Sequence, residues 1–217
     1  MGEALADAAI RAYAAEGDPY RIRHRVQITS FGGSGTTALT KSFLEAGLVL
    51  PPGPAQWPHK HTRRPPTAAA VPEGFRVVYP VGDPRDAVVS IFRRTYQWGH
   101  WRALHDGPED RDPPASLESL ESFVAAGVDE FALADHLDTW LDHPPGYPVM
   151  VLRFDRIDEA WETLADFVGL PDDHPRLVHL ARASDWRAAP PTVREGLDAL
   201  YGPLAARIAG FPPVQVV

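Results

Sequence analysis

Cysteine is absent from the 217-residue chain, which excludes disulfide staples and thiolate metal sites and fits a reducing compartment. No apolar run approaches the roughly 20 residues needed to cross a bilayer. The N-terminal "MGEALADAAIRAYAAEG" is too charged and alanine-rich for a secretory leader, and Ala6 stands where the myristoylation pattern wants Ser or Thr. A soluble, cytoplasmic protein with no membrane partner is therefore expected. Surplus positive charge is lacking as well. Lys and Arg number 21 against 29 Asp and Glu, a formal net charge of -8. That balance excludes a general affinity for nucleic acid polymers, which are held mainly through excess Lys and Arg, so any anionic ligand has to find local cations. HxxxH spacings and His-Glu clusters are missing too, and no metal site is expected.

What is present fits a single globular domain over 1–217, because 44% hydrophobic residues at this length bury one sizeable core. Apolar periodicity predicts a strand at 25–30 ("RVQITS"), a helix at 37–48, a proline-rich basic loop over 51–72 with a short strand near 57–60, and a buried strand at 75–81 ("FRVVYPV"). The following "GDPRDAVVS" starts a helix, with Asp83 as N-cap, Pro84 at the first helical position and Asp86 in the first turn. A polar loop is predicted at 107–114, a helix at 116–142, a strand at 147–154, a helix closed by Gly169 and Pro171, and a last amphipathic helix at 191–208. Strands alternating with helices predict an α/β fold of the three-layer P-loop type, a parallel sheet flanked by helices.

The chemistry concentrates at two strand-to-helix junctions. In "FGGSGTT" the backbone amides of residues 32–37 face a concavity at a helix N-terminus, where the macrodipole favours an anion. A nucleotide-hydrolysing loop of the GxxxxGK[ST] type needs a Lys after its last Gly, and Thr36 stands there, which disfavours ATP chemistry with Mg²⁺. At the second junction Ser90 lies within reach of a bound phosphate. Arg85 sits in the first turn, where a cation opposes the dipole and has another use, a phosphate or an ion pair with Asp83 or Asp86. Between the junctions "HKHTRR" gathers two imidazoles and three cations at 59–64.

"SGTT" at 34–37 after one strand and "DPRDAVVS" at 83–90 after a later one resemble the sulfotransferases that use 3′-phosphoadenylyl sulfate. "HLDTWL" at 136–141 and "PVMVLRFDRIDEAWETLADFVGLP" at 148–171 extend the resemblance in order over about residues 25–170. The resemblance implies that the first loop (Gly32, Gly33, Ser34, Gly35, Thr36, Thr37) holds the 5′-phosphosulfate and that Arg85 and Ser90 hold the 3′-phosphate. It makes His61 the base, with His59 as the other candidate because the spacing differs by about a residue. Three family features are replaced: the cation before the loop Ser is Gly33, the Arg two residues before the junction Pro is Gly82, and the adenine-stacking aromatic is Ala38. Lys60, Arg63 or Arg64 could replace the lost catalytic cation.

The expected reaction is in-line transfer of a sulfuryl group to a hydroxyl, or an amine, of a small-molecule acceptor, with an imidazole taking the proton and loop amides with Ser34, Thr36 and Thr37 stabilising charge. No metal is required. Two other readings stay open, a P-loop kinase-like phosphotransferase and a non-catalytic binding protein of the same fold. Lys41, His136, Trp140 and the "QWGHWRALH" segment (97–105) are open between ligand contact and surface or core packing.

Overall fold

Strand alternation builds the sheet. In the computed structural model, which describes residues 22, 24–48, 60–105, 112–142, 145–177 and 184–217, four strands lie in the order β1 (Val26–Ile28), β2 (Arg76–Val81), β3 (Val149–Arg153) and β4 (Val214–Val216). Val77, Tyr79, Val81, Val149 and Val151 point to one face and Val78, Met150 and Leu152 to the other, and each set enters its own apolar cluster. Two buried faces explain why these segments read as continuous hydrophobic runs.

On the first face lie α2 (Pro84–Arg93), α3 (Gln97–Leu104), α4 (Leu120–Ala126), α5 (Leu133–Leu141) and α7 (Pro191–Ala209), and on the second α1 (Thr36–Glu45) and α6 (Ile157–Val168). Each helix presents an apolar stripe. Val193, Leu197, Tyr201, Leu204 and Ile208 of α7 recur at three- and four-residue spacing and are all buried. Fully burying a side chain such as Phe43 or Leu164 contributes about 1.5–3 kcal/mol. The protein is thus mixed α/β, with a mostly parallel sheet flanked by helices among the described residues.

Local chemistry sets the helix ends near the first two strands. Asp83 caps α2 by accepting from the Arg85 amide at 3.0 Å, and Pro84 takes the first position. Gly169 closes α6 in the left-handed region (φ 74), returning its N–H to the Ala165 carbonyl. Pro80 is tolerated in the middle of the sheet for a definable reason. Arg76 and Val78 bond towards β1, through Arg25 and Thr29, and alternation turns residue 80 the same way. The β1–β2 pairing ends at Ile28 and Val78, so the donor that proline lacks falls beyond the end of that ladder and not within it.

The structure departs from the sequence reading in three respects. The sheet is not wholly parallel, because β4 runs antiparallel to β3 and pairs Val216 with Met150 and Val214 with Leu152. Three residues are too short a segment to show a period, so this strand had no sequence signal. The helix predicted over 116–142 divides into a 3₁₀ turn (Ala115–Glu118), α4 and α5. Gly127 takes φ 66, Ala132 takes φ 49, and between them the Asp129 carboxylate accepts from the amides of Phe131 and Leu133 and from the Tyr201 hydroxyl. That side chain offers the backbone partners a continuous helix would not, and the chain turns. Residues 57–59 of the suggested short strand lie outside the described residues, and Lys60 belongs to a helical turn.

Asp129→Ala should strip three donors of their acceptor in one step. Since each buried donor left unsatisfied costs about 1–3 kcal/mol, urea unfolding should show a loss of at least about 2 kcal/mol. A loss near zero would mean that the α4–α5 turn forms without this carboxylate.

Candidate functional site

The strand β1 ends where the glycine turn begins, and the turn is held by close approach rather than by side chains. Gly32, Gly33 and Gly35 all have positive φ (98, 65 and 88). A Cβ on Gly33 would lie 2.6 Å from Cα of Ala87 in α2, and one on Gly35 would lie 2.4 Å from the Phe154 ring. The first loop therefore rests against the second junction, one turn before Ser90, at the carboxyl ends of β1 and β2. Inside the turn, the Gly32 amide donates to Ser30 Oγ and Ser34 Oγ donates to the Gly32 carbonyl, both at 2.9 Å. Ser34 is fully buried and its hydroxyl is spent on the loop itself. Gly35 leads into α1, whose N-cap makes no side-chain hydrogen bond and whose first turn has no acidic residue, so the amides of Thr36, Thr37 and Ala38 form the positive end of the helix.

Lys60 and His61 reach the loop from the open side of β1. The Ser30 amide and the Thr29 hydroxyl both donate to the Lys60 carbonyl at 3.1 Å. The Lys60 ammonium donates to Thr37 Oγ1 at 3.2 Å, so one cation stands at the mouth of the loop. Burial and the Arg94 guanidinium lower its pKa. His61 Nδ1 lies 2.7 Å from the Ser30 carbonyl. A carbonyl only accepts, so Nδ1 carries the proton and the lone pair sits on Nε2.

His61 is one of three buried imidazoles around the first residues of the turn. His100, from α3, has its ring 4.4 Å from that of His61, and a Cβ on Gly32 would come within 2.5 Å of His100 Nε2. His136, from α5, shares a 2.6 Å hydrogen bond with the Tyr79 hydroxyl, on which the Phe31 amide also acts. The three are 3%, 5% and 1% exposed. Burial, with the His100 ring and Lys60 beside it, holds His61 well below the ordinary imidazole value. Burial pushes His100 down to about 4 and His136 to about 3. All three are neutral at pH 7.

The second junction is built differently from a bare cationic pocket. Arg85 Nε and Nη2 engage both oxygens of Asp83 at 2.9 and 2.8 Å, and Nη1 donates to Asp198 of α7 at 2.5 Å. Ser90 is buried on α2. Asp86 accepts from the Trp186 amide at 2.9 Å, tying the segment before α7 to α2.

The structure thus brings together Gly32, Gly33, Ser34, Gly35, Thr36, Thr37, Lys60 and His61, with Arg85 and Ser90 on the adjoining helix. His59 lies outside the described residues. Arg63 faces Asp135 at 3.9 Å. Lys41 forms an exposed pair with Glu45, and Trp140 is in the core with Nε1 donating to the Thr62 carbonyl. In the 97–105 segment Trp101 is buried while Trp98 is 47% exposed. His136 and the 97–105 segment were open between ligand contact and packing; that His100 meets Gly32 and His61, and that His136 bonds Tyr79, was not legible, since both come from distant helices. Among the described residues no group of three or more His, Asp or Glu is arranged to hold a metal, and no helix is long and apolar enough to cross a membrane.

The imidazoles make the protein acid-labile in a defined window. Their folded values lie below that of a free imidazole, so the unfolded chain binds protons first as pH falls. The stability they protect is full above about pH 6.5 and is lost below it, down to about 4 for His100 and about 3 for His136. Each contributes up to about 1.4 kcal/mol per pH unit. Denaturant titrations between pH 6.5 and 5 should show stability falling, and His100→Gln should remove about one proton's worth of that slope. Equal slopes in the two proteins would contradict the burial of a neutral His100.

Family models, curated proteins and solved structures give no match to this chain, and what bears on its function is the geometry above.

Proposed function

We propose that the protein is a sulfotransferase of the three-layer P-loop fold, moving a sulfuryl group from 3′-phosphoadenylyl sulfate to a hydroxyl or amine of a small molecule. The observation that carries this reading is the pairing of His61 and Lys60 on one glycine turn. The imidazole is fixed through Nδ1 to the Ser30 carbonyl, and the ammonium sits on Thr37 at the uncapped start of α1. A base and a cation beside a row of helix-terminal amides are the parts that in-line transfer from a phosphosulfate needs. The resemblance across residues 25–170 supports the family.

The acceptor oxygen forms a bond to sulfur as the bond from sulfur to the bridging phosphate oxygen breaks. The acceptor proton passes to His61 Nε2, and adenosine 3′,5′-bisphosphate leaves with the bond's electron pair. Amides of residues 35–38 and the Lys60 ammonium stabilise the charge that develops on the leaving phosphate. Lys60 stands in for the cation that Gly33 replaces. The depressed pKa of His61 suits its role, because the imidazole is unprotonated and able to accept. Ser34 acts on the turn's shape, since its hydroxyl is held by Gly32.

A second reading, a non-catalytic binding protein of this fold, is favoured by one observation. Arg85, the cation expected for the 3′-phosphate, already bonds Asp83 and Asp198.

Mutation separates the two. His61→Ala should lower turnover by roughly 10²–10⁴-fold while adenosine 3′,5′-bisphosphate still binds, and His61→Gln, which keeps a donor for Ser30, controls for folding. Thr36→Ala should instead weaken nucleotide binding by about 1.5–3 kcal/mol, the scale of a hydrogen bond to a charged group. Full turnover in both His61 variants would remove this imidazole as the base, and nucleotide binding without any turnover in the wild type would favour the binding protein.

A further inference from the structure

A cavity of about 510 Å³ opens at the amino ends of β1 and β2, at the other end of the sheet from the glycine turn. Val26, Leu48 and Val168 give it an apolar wall, and Arg25, Arg76 and the buried His24 a basic one. The helices that run back to this end contribute backbone without side chains. Gly47, just past α1, and Gly169, at the end of α6, take φ 80 and 74, and a Cβ on either would meet nothing within 4 Å. The volume falls in the range of pockets that take small organic molecules.

Charge decides what fits. The whole chain carries a net charge of -8, yet the lining among the described residues holds two guanidinium groups and no carboxylate. The two cations are neighbours, because the Arg76 amide donates to the Arg25 carbonyl at 2.8 Å. The negative ends of α1 and α6 do not consume them. Backbone amides of Ala46, Gly47 and Leu48 already serve the last carbonyls of α1, and those of Gly169 and Leu170 serve α6. Arg76 adds Nη1 to the Phe167 carbonyl and Nε to that of Gly74, which leaves its Nη2 without a protein partner among the described residues. Arg25 is exposed at the rim.

We propose that this cavity is a binding site for a small carboxylate with an apolar body, whose charge meets Arg76 Nη2 and Arg25 while its hydrocarbon lies along Val26, Leu48 and Val168. A guanidinium suits a carboxylate in geometry as well as charge, and burial of apolar surface supplies the remaining affinity. An amine of the same shape is repelled, and a bare phosphate gains nothing from the apolar wall. The site is separate from the glycine turn and does not rest on the sulfotransferase reading.

NMR titration of the full chain with octanoate tests it, with 1-octanol, octylamine and inorganic phosphate as the other probes. Octanoate should shift the methyl signals of Val26, Leu48 and Val168 saturably and bind about tenfold or more tightly than the other three. Arg76→Gln should weaken it about tenfold, the scale of a hydrogen bond to a charged group. Arg25→Gln should weaken it about two- to fivefold, the scale of an exposed ion pair. Because Arg76 also helps to close α6, Arg25→Glu provides a variant free of that packing, and it should weaken octanoate further while leaving octanol unchanged. Octanol or phosphate binding as tightly as octanoate would overturn the assignment. So would octanoate affinity unmoved by all three substitutions, or shifts confined to the glycine turn. Melting temperatures of the variants verify that each is folded.

Discussion

Everything at the candidate site depends on one close contact, the glycine turn against α2. A Cβ on Gly33 would lie only 2.6 Å from Ala87 Cα, so the backbone after β1 lies directly on the helix that follows β2. The two junctions thereby lie side by side. The same economy recurs at Gly32 beneath His100 and at Gly35 beneath Phe154. A side chain at any of the three would force apart elements that interiors packed at crystal density do not release cheaply. Ser30, bonded through its hydroxyl to Gly32 and through its carbonyl to His61, carries that placement to the imidazole.

Charge follows the same local logic. A chain with a net charge of -8 attracts an anion only where dipoles and a few cations converge. At the start of α1 the uncapped amides and Lys60 do so, and no acidic residue stands in the first turn. At the start of α2 Asp83 and Asp198 hold Arg85, and Asp86 stands in the first turn. Two helix N-termini at one sheet end thus differ in the charge that surrounds them.

Those features tied to local sequence were legible in it. The Asp83 cap, Pro84 at the first position of α2, Gly169 behind α6 and the strand–turn–helix at 28–45 each depend on residues within a turn of one another, so spacing alone reveals them. The division between α4 and α5 was not legible, because it hangs on Asp129 meeting Tyr201, 72 residues away. Neither was β4, which exists only because β3 offers it an edge. At the candidate site, the turn residues and the 59–61 run were singled out by pattern, and the structure places His61 against the turn through Ser30. The arrangement of three imidazoles around it was not legible, since His61, His100 and His136 are joined by packing, and Asp198 against Arg85 spans 113 residues. Sequence displays the groups a site uses, and tertiary contact decides which of them are already occupied.

The central claim is that the glycine turn is an anion cradle for a sulfuryl-donor nucleotide and not for ATP. Thermal unfolding in the presence of adenosine 3′,5′-bisphosphate, with ATP and Mg²⁺ alongside, tests it most directly. Ligand that binds only the folded state adds RT ln(1 + [L]/Kd), about 2.7 kcal/mol at a hundredfold excess. The bisphosphate should raise the melting temperature at sub-millimolar concentration and exceed ATP with Mg²⁺. An unmoved melting temperature, or a larger rise with ATP and Mg²⁺, would contradict it.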